Sequence, residues 1–352
     1  MSQHDLPDDD PDELSGVQPN DLMIPVHVNG RYRLKDKVGS GAYGEVYHAS
    51  DIIGDGDVVV KLQCITGTTT TSLEHEYNVL RQLGDTVGIP HVHWFGREDS
   101  YDALVLDRLG QSLESVFKEY QHSFSYNTIV CRLQYIHSIH FIHRDLKPTN
   151  ILIGTGKDAH KIFLVDFGIS KQYRCPRTHL HIAFKQTASL TGTPAFTSIN
   201  SHAGMELGRH DDIESLAYLL IHLFRGSLPW LCCSGISDKQ VVEMKYDTMK
   251  LCQDLPEEVK QILTYSRSLS FDQKPDYAFL CRLLQRINST SESCQQDHVP
   301  NWSTVSPAPC KTPNGNADST MPRRSCHLKV QASSLCAMYS LRSNRHPWTV
   351  QK

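Results

Sequence analysis

Short apolar runs rich in β-branched residues dominate the first part of this 352-residue chain. They occur at 32–34, 46–49 and 58–61, and a glycine-rich turn separates the first two runs. Strands joined in this order predict a small antiparallel sheet. Residues 73–83 then carry apolar side chains at helical intervals, at Leu73, Tyr77, Leu80 and Leu83. That spacing predicts an amphipathic helix after the strands.

The second part of the chain has the periodicity of helices. Residues 124–138 carry four apolar side chains on one helical face, Ile129, Val130, Leu133 and Ile136. Further helices are predicted at 211–224, 238–251, 256–266 and 276–287. Short apolar runs at 140–142, 151–153 and 162–165 predict strands among these helices. We therefore expect a sheet-rich part followed by a mainly helical part.

Both ends of the chain lack the apolar content that a packed core needs. Residues 1–24 are rich in Asp and Pro, and from about residue 288 the chain is rich in Ser, Asn, Thr and Pro. Such segments bury too little surface to offset the entropy lost when they become ordered. We predict a disordered acidic segment at 1–24 and a low-complexity, largely disordered tail at 288–352.

No targeting or membrane segment is expected. Residues 1–20 contain six acidic side chains and no Lys or Arg, whereas a secretory or transit peptide has a basic start. The most apolar run, 215–224, is much shorter than the roughly 20 residues that span a bilayer. The sequence therefore predicts a soluble chain that works in the cytoplasm or the nucleus.

Charge and cysteine content exclude several classes of protein. The formal net charge of −4 gives no electrostatic basis for binding nucleic acid or a membrane surface. The 11 cysteines form no C-x-x-C pair, so neither a zinc site nor a disulfide framework is indicated, and a reducing compartment is expected. His179 and His181, with His160, are interpreted as solvated loop histidines rather than metal ligands. Cys232 and Cys233 are interpreted as buried or loop thiols rather than lipidated ones.

The strongest chemical signal is the segment 142–150, which reads Ile-His-Arg-Asp-Leu-Lys-Pro-Thr-Asn. It contains Asp145, Lys147 and Asn150 within six positions, and Asp166-Phe167-Gly168 follows sixteen residues after Asn150. A lone His-Arg-Asp tripeptide would mean little. The full spacing, with a second acidic loop after an apolar strand, resembles the catalytic and metal-binding loops of protein kinases.

A glycine-rich turn is the second signal. Gly39, Ser40, Gly41 and Gly44 belong to a G-x-G-x-x-G pattern, which in dinucleotide-binding folds opens a helix. Here β-branched and aromatic residues follow it, which favours a hairpin whose backbone approaches the phosphates of ATP. Lys61 lies seventeen residues beyond Gly44, at the end of an apolar triplet. This position suits a lysine that reaches the phosphates, and an ordinary surface lysine is the alternative.

Two glutamates and a short connection extend the predicted nucleotide site. Glu74 and Glu76 lie on the predicted helix, and either could pair with Lys61. Whichever glutamate does not pair with Lys61 is expected to be exposed to solvent. Residues 108–110 follow the alternating run 104–107. They predict a hinge between two lobes, with a backbone able to bind adenine.

Other segments narrow the resemblance to one family. Residues 190–200, 209–217 and 225–230 closely resemble the casein kinase 1 family, in which Ser-Ile-Asn stands where most kinases carry Ala-Pro-Glu. Here that tripeptide is Ser198-Ile199-Asn200. Shorter segments at 88–90, 109–114, 135–138 and 271–277 are also similar to that family.

The resemblance covers about residues 32–287 and implies a fold. That fold is α+β, a bilobal protein-kinase domain. An N-lobe at 32–106 is expected to hold a small antiparallel sheet with one helix, and a C-lobe at 107–287 is expected to be mainly helical.

The resemblance also implies how a nucleotide is held. Glu76 fixes Lys61, which makes Glu74 the surface glutamate. Leu106 is the gatekeeper, and Leu109 supplies hinge backbone contacts to adenine. The full set of implied ATP-binding residues is Gly39, Ser40, Gly41, Gly44, Val46, Val59, Lys61, Leu106, Asp107, Leu109 and Asp166.

The catalytic roles follow from the same resemblance. Asp145 orients the substrate hydroxyl and accepts its proton, and Lys147 holds the γ-phosphate. Asn150 and Asp166 are the implied ligands of Mg²⁺, a hard ion that prefers oxygen donors. Asp212 is a buried helix aspartate that supports the catalytic loop through its backbone.

The chain departs from the family pattern at several places. The segment 124–135 is about seven residues shorter than in relatives, which removes roughly 10 Å of helix before the catalytic loop. Ala195 stands where relatives carry Arg, and 234–238 lacks their basic residues, so we expect a weaker preference for already phosphorylated substrates. Val59 replaces a small Ala above the adenine, and Thr149 replaces an acidic residue.

Two functions are compatible with these residues. The first is a non-specific serine/threonine protein kinase that acts as a monomer, uses ATP and Mg²⁺, and phosphorylates protein substrates with acidic residues near the acceptor. The second is a kinase-shaped binding module with weak or no catalysis, because the short helix reduces the buried area of the C-lobe. Every catalytic position is retained, which favours the enzyme.

Overall fold

The computed structural model describes residues 25–41, 44–65, 71–98, 100–119, 126–186, 189–233 and 235–292. The predicted disordered segment 1–24 lies outside the described residues, as does most of the predicted tail. The described residues belong to one compact unit. They form a sheet-rich lobe followed by a helical lobe, so the predicted α+β, two-lobe arrangement is confirmed.

The N-lobe is built on one antiparallel sheet of six strands in the order β1-β2-β3-β4-β6-β5. Its strands are β1 (His27–Val28), β2 (Tyr32–Gly41), β3 (Gly44–Asp51), β4 (Gly56–Cys64), β5 (Val92–Glu98) and β6 (Tyr101–Asp107). The three predicted strand runs at 32–61 lie within β2, β3 and β4. Sequence periodicity missed β1 and β5, because β1 is only two residues long and β5 mixes polar and apolar side chains on both faces.

One helix, α1 (Ser72–Leu83), packs against this sheet, as predicted. Thr71 caps it, since its side-chain oxygen accepts a hydrogen bond from the backbone N–H of Glu74 at 3.1 Å. Its apolar face is buried at Leu73, Val79, Leu80 and Leu83, together with the carboxylate of Glu76. A polar residue therefore lies on the inner face of the helix, directed toward the sheet.

The C-lobe is mainly helical. Its helices are α2 (Leu113–Glu119), α3 (Asn127–Ser138), α4 (Ile199–His202), α5 (Arg209–Arg225), α6 (Asp238–Tyr246), α7 (Thr248–Leu251), α8 (Glu257–Ser268) and α9 (Tyr277–Glu292). Two short antiparallel pairs lie among them: β7 (Phe141–Ile142) with β10 (Lys171–Gln172), and β8 (Ile151–Ile153) with β9 (Ile162–Leu164). Helix α5 is the centre of the lobe, since every side chain from Arg209 to Leu223 is buried. In the described part of the chain, no helix is long and apolar enough to cross a bilayer.

Several predicted helix boundaries are wrong. The single helix predicted at 238–251 is two helices, because Asp247 leaves helical geometry at ψ 72° and its side chain caps α7 by accepting from the Lys250 N–H at 3.1 Å. The last helix continues to Glu292, five residues past the predicted end at 287. Helix α5 starts at Arg209, two residues earlier than predicted.

The short helix α3 still packs into the core of the C-lobe. The predicted apolar face is buried in full, since Ile129, Val130, Leu133 and Ile136 are each at most 2 % exposed. The predicted beginning of this helix at 124 lies outside the described residues, and α3 begins at Asn127. The Tyr135 hydroxyl donates to the backbone carbonyl of Leu83, so α3 also contacts the end of α1 in the other lobe.

Replacing Leu133 with Ala tests whether α3 contributes to the core. Leu133 is 0 % exposed, so Leu133→Ala is expected to lower the free energy of unfolding by about 2–5 kcal/mol. Urea unfolding followed by circular dichroism measures this change. The neighbouring exposed residue gives the matched control, and Gln134→Ala should change the free energy by less than about 0.5 kcal/mol. Equal effects of the two substitutions would show that α3 is not packed as described.

Candidate active site

One face of the N-lobe sheet collects the residues predicted to surround a nucleotide. Residues paired across antiparallel strands point to the same face. Val46 pairs with Lys61, and Val59 pairs with Leu106. In β4 the alternate residues Val58, Val60 and Leu62 are buried in the other face, so Val59 and Lys61 share the face toward the C-lobe. The strand register thus brings together side chains from three strands.

The glycine-rich pattern is followed by strand β3 and not by a helix, as we predicted for a hairpin. Gly41 pairs with Gly44, and the two residues between them lie outside the described part. Gly44 has φ 115°, and a Cβ there would lie 2.0 Å from the Leu62 carbonyl oxygen. Only glycine fits at that position. Gly39, Ser40 and Gly41 are exposed, so their backbone is accessible to a ligand.

Lys61 joins the two lobes electrostatically. Its Nζ lies 2.8 Å from Glu76 Oε1, 2.9 Å from Glu76 Oε2 and 3.6 Å from Asp166 Oδ1. Burial lowers the pKa of Lys61, but the two carboxylates outweigh burial and hold its pKa above the ordinary value. The ammonium is therefore charged at neutral pH. Glu74 lies on the other side of α1, with Oε2 3.7 Å from Arg97 Nη2.

The loop at 166–168 is tied to α1 by the same carboxylate. The backbone N–H of Phe167 donates to Glu76 Oε1 at 3.2 Å. Asp166 has φ 69°, a left-handed conformation that few residues other than glycine and Asn or Asp adopt readily. Glu76 therefore fixes both the lysine from β4 and the backbone next to Asp166.

Asp145 lies in a dense set of hydrogen bonds and is 6 % exposed. Its Oδ2 accepts from Lys147 Nζ at 2.8 Å and from Asn150 Nδ2 at 3.2 Å. Its Oδ1 accepts from the backbone N–H and the hydroxyl of Thr193, at 2.8 and 2.7 Å. Burial raises the pKa of Asp145, but the bonds from Lys147 and Thr193 outweigh it and hold the pKa below the ordinary value. Asp145 is therefore a carboxylate at neutral pH.

Thr193 is a site residue that the motif search did not single out. Besides its two bonds to Asp145, its hydroxyl oxygen lies 2.8 Å from Lys147 Nζ. The neighbouring Gly192 has φ 88°, and a Cβ there would lie 2.4 Å from the Arg144 carbonyl oxygen. The sequence signal was the Thr-Gly-Thr-Pro turn at 191–194, which lies in the segment 190–200 that carried the family resemblance, but no role was assigned to Thr193.

The oxygens of Asn150 and Asp166 suit a hard cation. The Asn150 amide nitrogen donates to the Asp145 backbone carbonyl at 2.9 Å, which directs the amide oxygen away from that loop. The Asp166 side chain is 26 % exposed and keeps solvent access. A carboxylate and an amide oxygen are the donors that Mg²⁺ prefers, so the residues present fit this ion.

Asp212 holds the backbone of the catalytic loop, as the resemblance implied. Its Oδ2 accepts from the His143 N–H and its Oδ1 from the Arg144 N–H, both at 2.8 Å. Arg144 has φ 69°, and a non-glycine residue in this conformation carries strain of about 1–3 kcal/mol. Two charge-assisted bonds from a carboxylate that is 1 % exposed offset that strain.

A family model described as the protein kinase domain matches residues 32–297. The chain belongs to this family. The match starts where β2 starts and extends past the predicted C-terminal boundary at 287. The family match indicates a kinase, which is an enzyme that transfers phosphoryl groups, and the geometry around Lys61 and Asp145 is compatible with this class.

His137 is a second residue of the kinase domain that the motif search missed. Its Nε2 lies 2.8 Å from Asp212 Oδ2, and its Nδ1 lies 2.6 Å from the Tyr277 hydroxyl. His137 occupies the last turn of α3, so the short helix still reaches the carboxylate behind the catalytic loop. The Tyr-Ile-His-Ser segment at 135–138 was its only sequence signal.

The hinge of the kinase domain follows β6. Leu106 is buried, and the Asp107 carboxylate accepts from the His91 N–H and lies beside His93 Nε2, both at 2.9 Å. The Gly110 N–H donates to the Ile153 carbonyl at 2.7 Å, which ties the hinge to β8. The contact of the Leu109 backbone with adenine stays a prediction.

Lys245 fixes the loop that carries Thr193. It is 0 % exposed, and its Nζ donates to the carbonyls of Pro194 at 2.8 Å and Thr197 at 2.6 Å. Burial lowers the pKa of Lys245 to about 7. Sequence patterns gave no sign of this role, because Lys245 lies on α6, some fifty residues after the loop that it holds.

The described loop histidines pack against aromatic rings. His179 stacks near His140, with ring centroids 5.3 Å apart, and the His181 ring packs on Phe271 at 4.5 Å. Among the residues that the structure describes, no group of three or more potential ligands is present. Cys232 and Cys233 are free and exposed.

The buried His137 predicts a pH dependence of stability. Burial lowers the pKa of His137, although Asp212 acts in the opposite direction. In the unfolded chain a histidine takes up a proton near pH 6.5. The unfolded state thus binds more protons below that pH, and the free energy of unfolding should fall between pH 7 and 5.5.

Histidine NMR on the folded chain and the urea-unfolded chain measures the titration of His137. The His137 ring should remain neutral at a pH where histidines of the unfolded chain are already protonated. A His137 that titrates at or above its unfolded value would contradict the buried contact with Asp212 and Tyr277.

Proposed function

We propose that this chain is a serine/threonine protein kinase of casein kinase 1 type that transfers the γ-phosphate of ATP to protein hydroxyls. The observation that carries the proposal is the position of Lys61, held between Glu76 and Asp166 while Asp145 remains a buried carboxylate. The Val165 N–H also donates to the Asn150 carbonyl at 3.0 Å, which joins the segment before Asp166 to the loop of Asp145 and supports one shared site.

Each residue has a chemical task in this proposal. Phosphoryl transfer needs positioned positive charge more than covalent help, because charge is spread over the phosphoryl oxygens. Lys61 and Lys147 supply fixed ammonium groups. Asp145 receives the substrate hydroxyl in place of a hydrogen bond that it now accepts from Thr193. Asn150 and Asp166 would hold Mg²⁺, which neutralises charge on the phosphates when bound.

A weakly active, kinase-shaped binding module is the competing function. Two observations favour it. Helix α3 begins with Tyr126 in helical conformation and has no side-chain hydrogen bond at its N-cap, so this end lacks the usual stabilisation. Val59 also pairs with Leu106 on the face proposed for adenine, where its side chain is larger than the Ala of relatives.

A phosphorylation assay separates the two functions. Purified chain with Mg²⁺ and labelled ATP is expected to phosphorylate casein, whereas Asp145→Asn and Lys61→Met should each slow the reaction by at least about 100-fold. If the wild-type chain phosphorylates casein no faster than these variants, the proposal that the chain is an active kinase is refuted. A thermal shift on addition of ATP would then show whether nucleotide binding remains.

The two helix glutamates provide a matched control. Glu76→Gln should slow the reaction because Lys61 and the Phe167 N–H lose their carboxylate. Glu74→Gln makes the same chemical change at a partly exposed position on α1 and should alter the rate by less than about twofold. Equal effects of the two substitutions on the rate would contradict the claim that Glu76, and not Glu74, positions Lys61.

Substrate preference is the second measurable consequence. We propose protein substrates with acidic residues near the acceptor and a weaker preference for primed substrates than in relatives. Ala195 packs against the hydrophobic core at the position where relatives carry Arg, and its carbonyl accepts from Trp230 Nε1 at 3.1 Å. Residues 235–238 contain no Lys or Arg. Peptides with and without a phosphoserine before the acceptor should differ by less than about threefold in kcat/KM, and strong priming would refute this proposal.

We also propose that the chain acts as a monomer in the cytoplasm or nucleus, on proteins rather than on nucleic acid or membranes. The net charge of −4 and the seven free cysteines among described residues support this view. Light scattering of purified chain at increasing concentration would reveal a dimer if this assignment is wrong.

A further inference from the structure

A cavity of about 130 Å³ lies behind the catalytic loop, outside the cleft that holds Lys61 and Asp145. It is enclosed by the last turn of α3, the residues after β10, the start of α5 and the loop before α9. Three cationic side chains line it, those of Arg174, Arg209 and Lys274. Its described lining contains no carboxylate.

Arg209 is buried without an anionic partner among the described residues. It is 6 % exposed, and its Nη1 donates to the Tyr173 hydroxyl at 3.2 Å, while Nη2 donates to the Asp272 backbone carbonyl. Its guanidinium carbon lies 4.6 Å from the centre of the Tyr173 ring. Its Nε has no hydrogen-bond partner in the described part of the chain. Arginine at this depth is normally paired with an acid, because an uncompensated buried charge is costly.

The other two cations have unused donors on the open side of the cavity. Arg174 uses Nε to bond His140 Nδ1 at 2.8 Å, and its guanidinium carbon lies 5.5 Å from the centre of the Tyr173 ring. Lys274 is exposed and forms no ion pair within the described residues. The two guanidinium groups therefore lie on one aromatic ring, with an ammonium group nearby.

The remaining lining groups do not balance this charge. The Tyr173 hydroxyl donates to the His137 backbone carbonyl at 2.7 Å, and the Tyr277 hydroxyl lies 2.6 Å from His137 Nδ1, so both hydroxyls are engaged by His137. Burial lowers the pKa of His137, and the Arg209 charge lowers it further, so the imidazole is neutral as well. Asp212, beyond His137, is already engaged by His137 and the catalytic loop. The cavity thus has an excess of positive charge.

We propose that this cavity is a binding site for a phosphate group. A tetrahedral oxyanion accepts from several donors at once, and arginine forks with an adjacent lysine are the side chains that bind it best. An anion there would give Arg209 the counter-charge that the fold does not provide. The phosphate can come from the free inorganic ion or from a phosphorylated protein side chain, and both present the same oxygens.

Isothermal titration of the full chain with inorganic phosphate and with N-acetyl-O-phosphoserine amide tests the proposal. Wild-type chain should bind at least one of the two saturably. Arg174→Gln and Lys274→Gln should each weaken that binding about tenfold, because each removes a charge-assisted hydrogen bond. Both residues lie on the open side, so these variants avoid the buried Arg209. Lys250→Gln removes an exposed charge on α7 and should change the affinity by less than about twofold.

The result also identifies the source of the phosphate. Tighter binding of the phosphoserine derivative than of inorganic phosphate would assign the cavity to phosphorylated protein, and the reverse order would assign it to the free ion. Phosphate bound elsewhere, including the cleft between the lobes, would be insensitive to Arg174→Gln and Lys274→Gln. An unchanged affinity in the double variant, or no saturable binding of either compound, would overturn the proposal.

Discussion

The geometry of this kinase domain depends on one buried carboxylate. Asp212 binds two consecutive backbone N–H groups of the catalytic loop and the ring of His137. Burial raises its pKa, but the hydrogen bonds from the His137 ring and the His143 backbone N–H contribute to holding the pKa below its ordinary value, so it stays ionised. The strained backbone at Arg144 and the position of Asp145 one residue later both follow from this contact. Because α5 is buried from Arg209 to Leu223, the Asp212 carboxylate cannot move without disturbing the core.

A second ionic group fixes the N-lobe relative to the C-lobe loops. Lys61 alone would be a buried cation, which is costly, yet the carboxylates of Glu76 and Asp166 more than offset its charge. Because these carboxylates come from α1 and from the loop after β9, one lysine orders elements from both lobes. The cavity around Arg209 shows the opposite balance, with three cations and no described acid.

Residues 124–135, predicted to be shorter than in the family that the chain resembles, include most of α3, yet this helix still reaches the catalytic loop. Only the end of α3 contributes polar contacts to the catalytic machinery, through His137. The last turn of α3 contacts Asp212 and Tyr277 through His137. The four apolar residues of α3 remain buried. If this segment is shorter than in relatives, we expect the consequence in the stability of the lobe rather than in the position of Asp145.

By itself the sequence determined the fold class, the strands of the central hairpin, and the motifs around Asp145 and Asp166, because these depend on local periodicity and fixed spacing. The residues alone did not show whether Glu74 or Glu76 pairs with Lys61. The rotation of α1 against the sheet directs Glu76 to Lys61. The roles of Thr193 and Lys245 were decided by tertiary structure alone. Their partners are some fifty residues away in the chain, and no local pattern encodes a contact between segments that meet only after the lobe has packed.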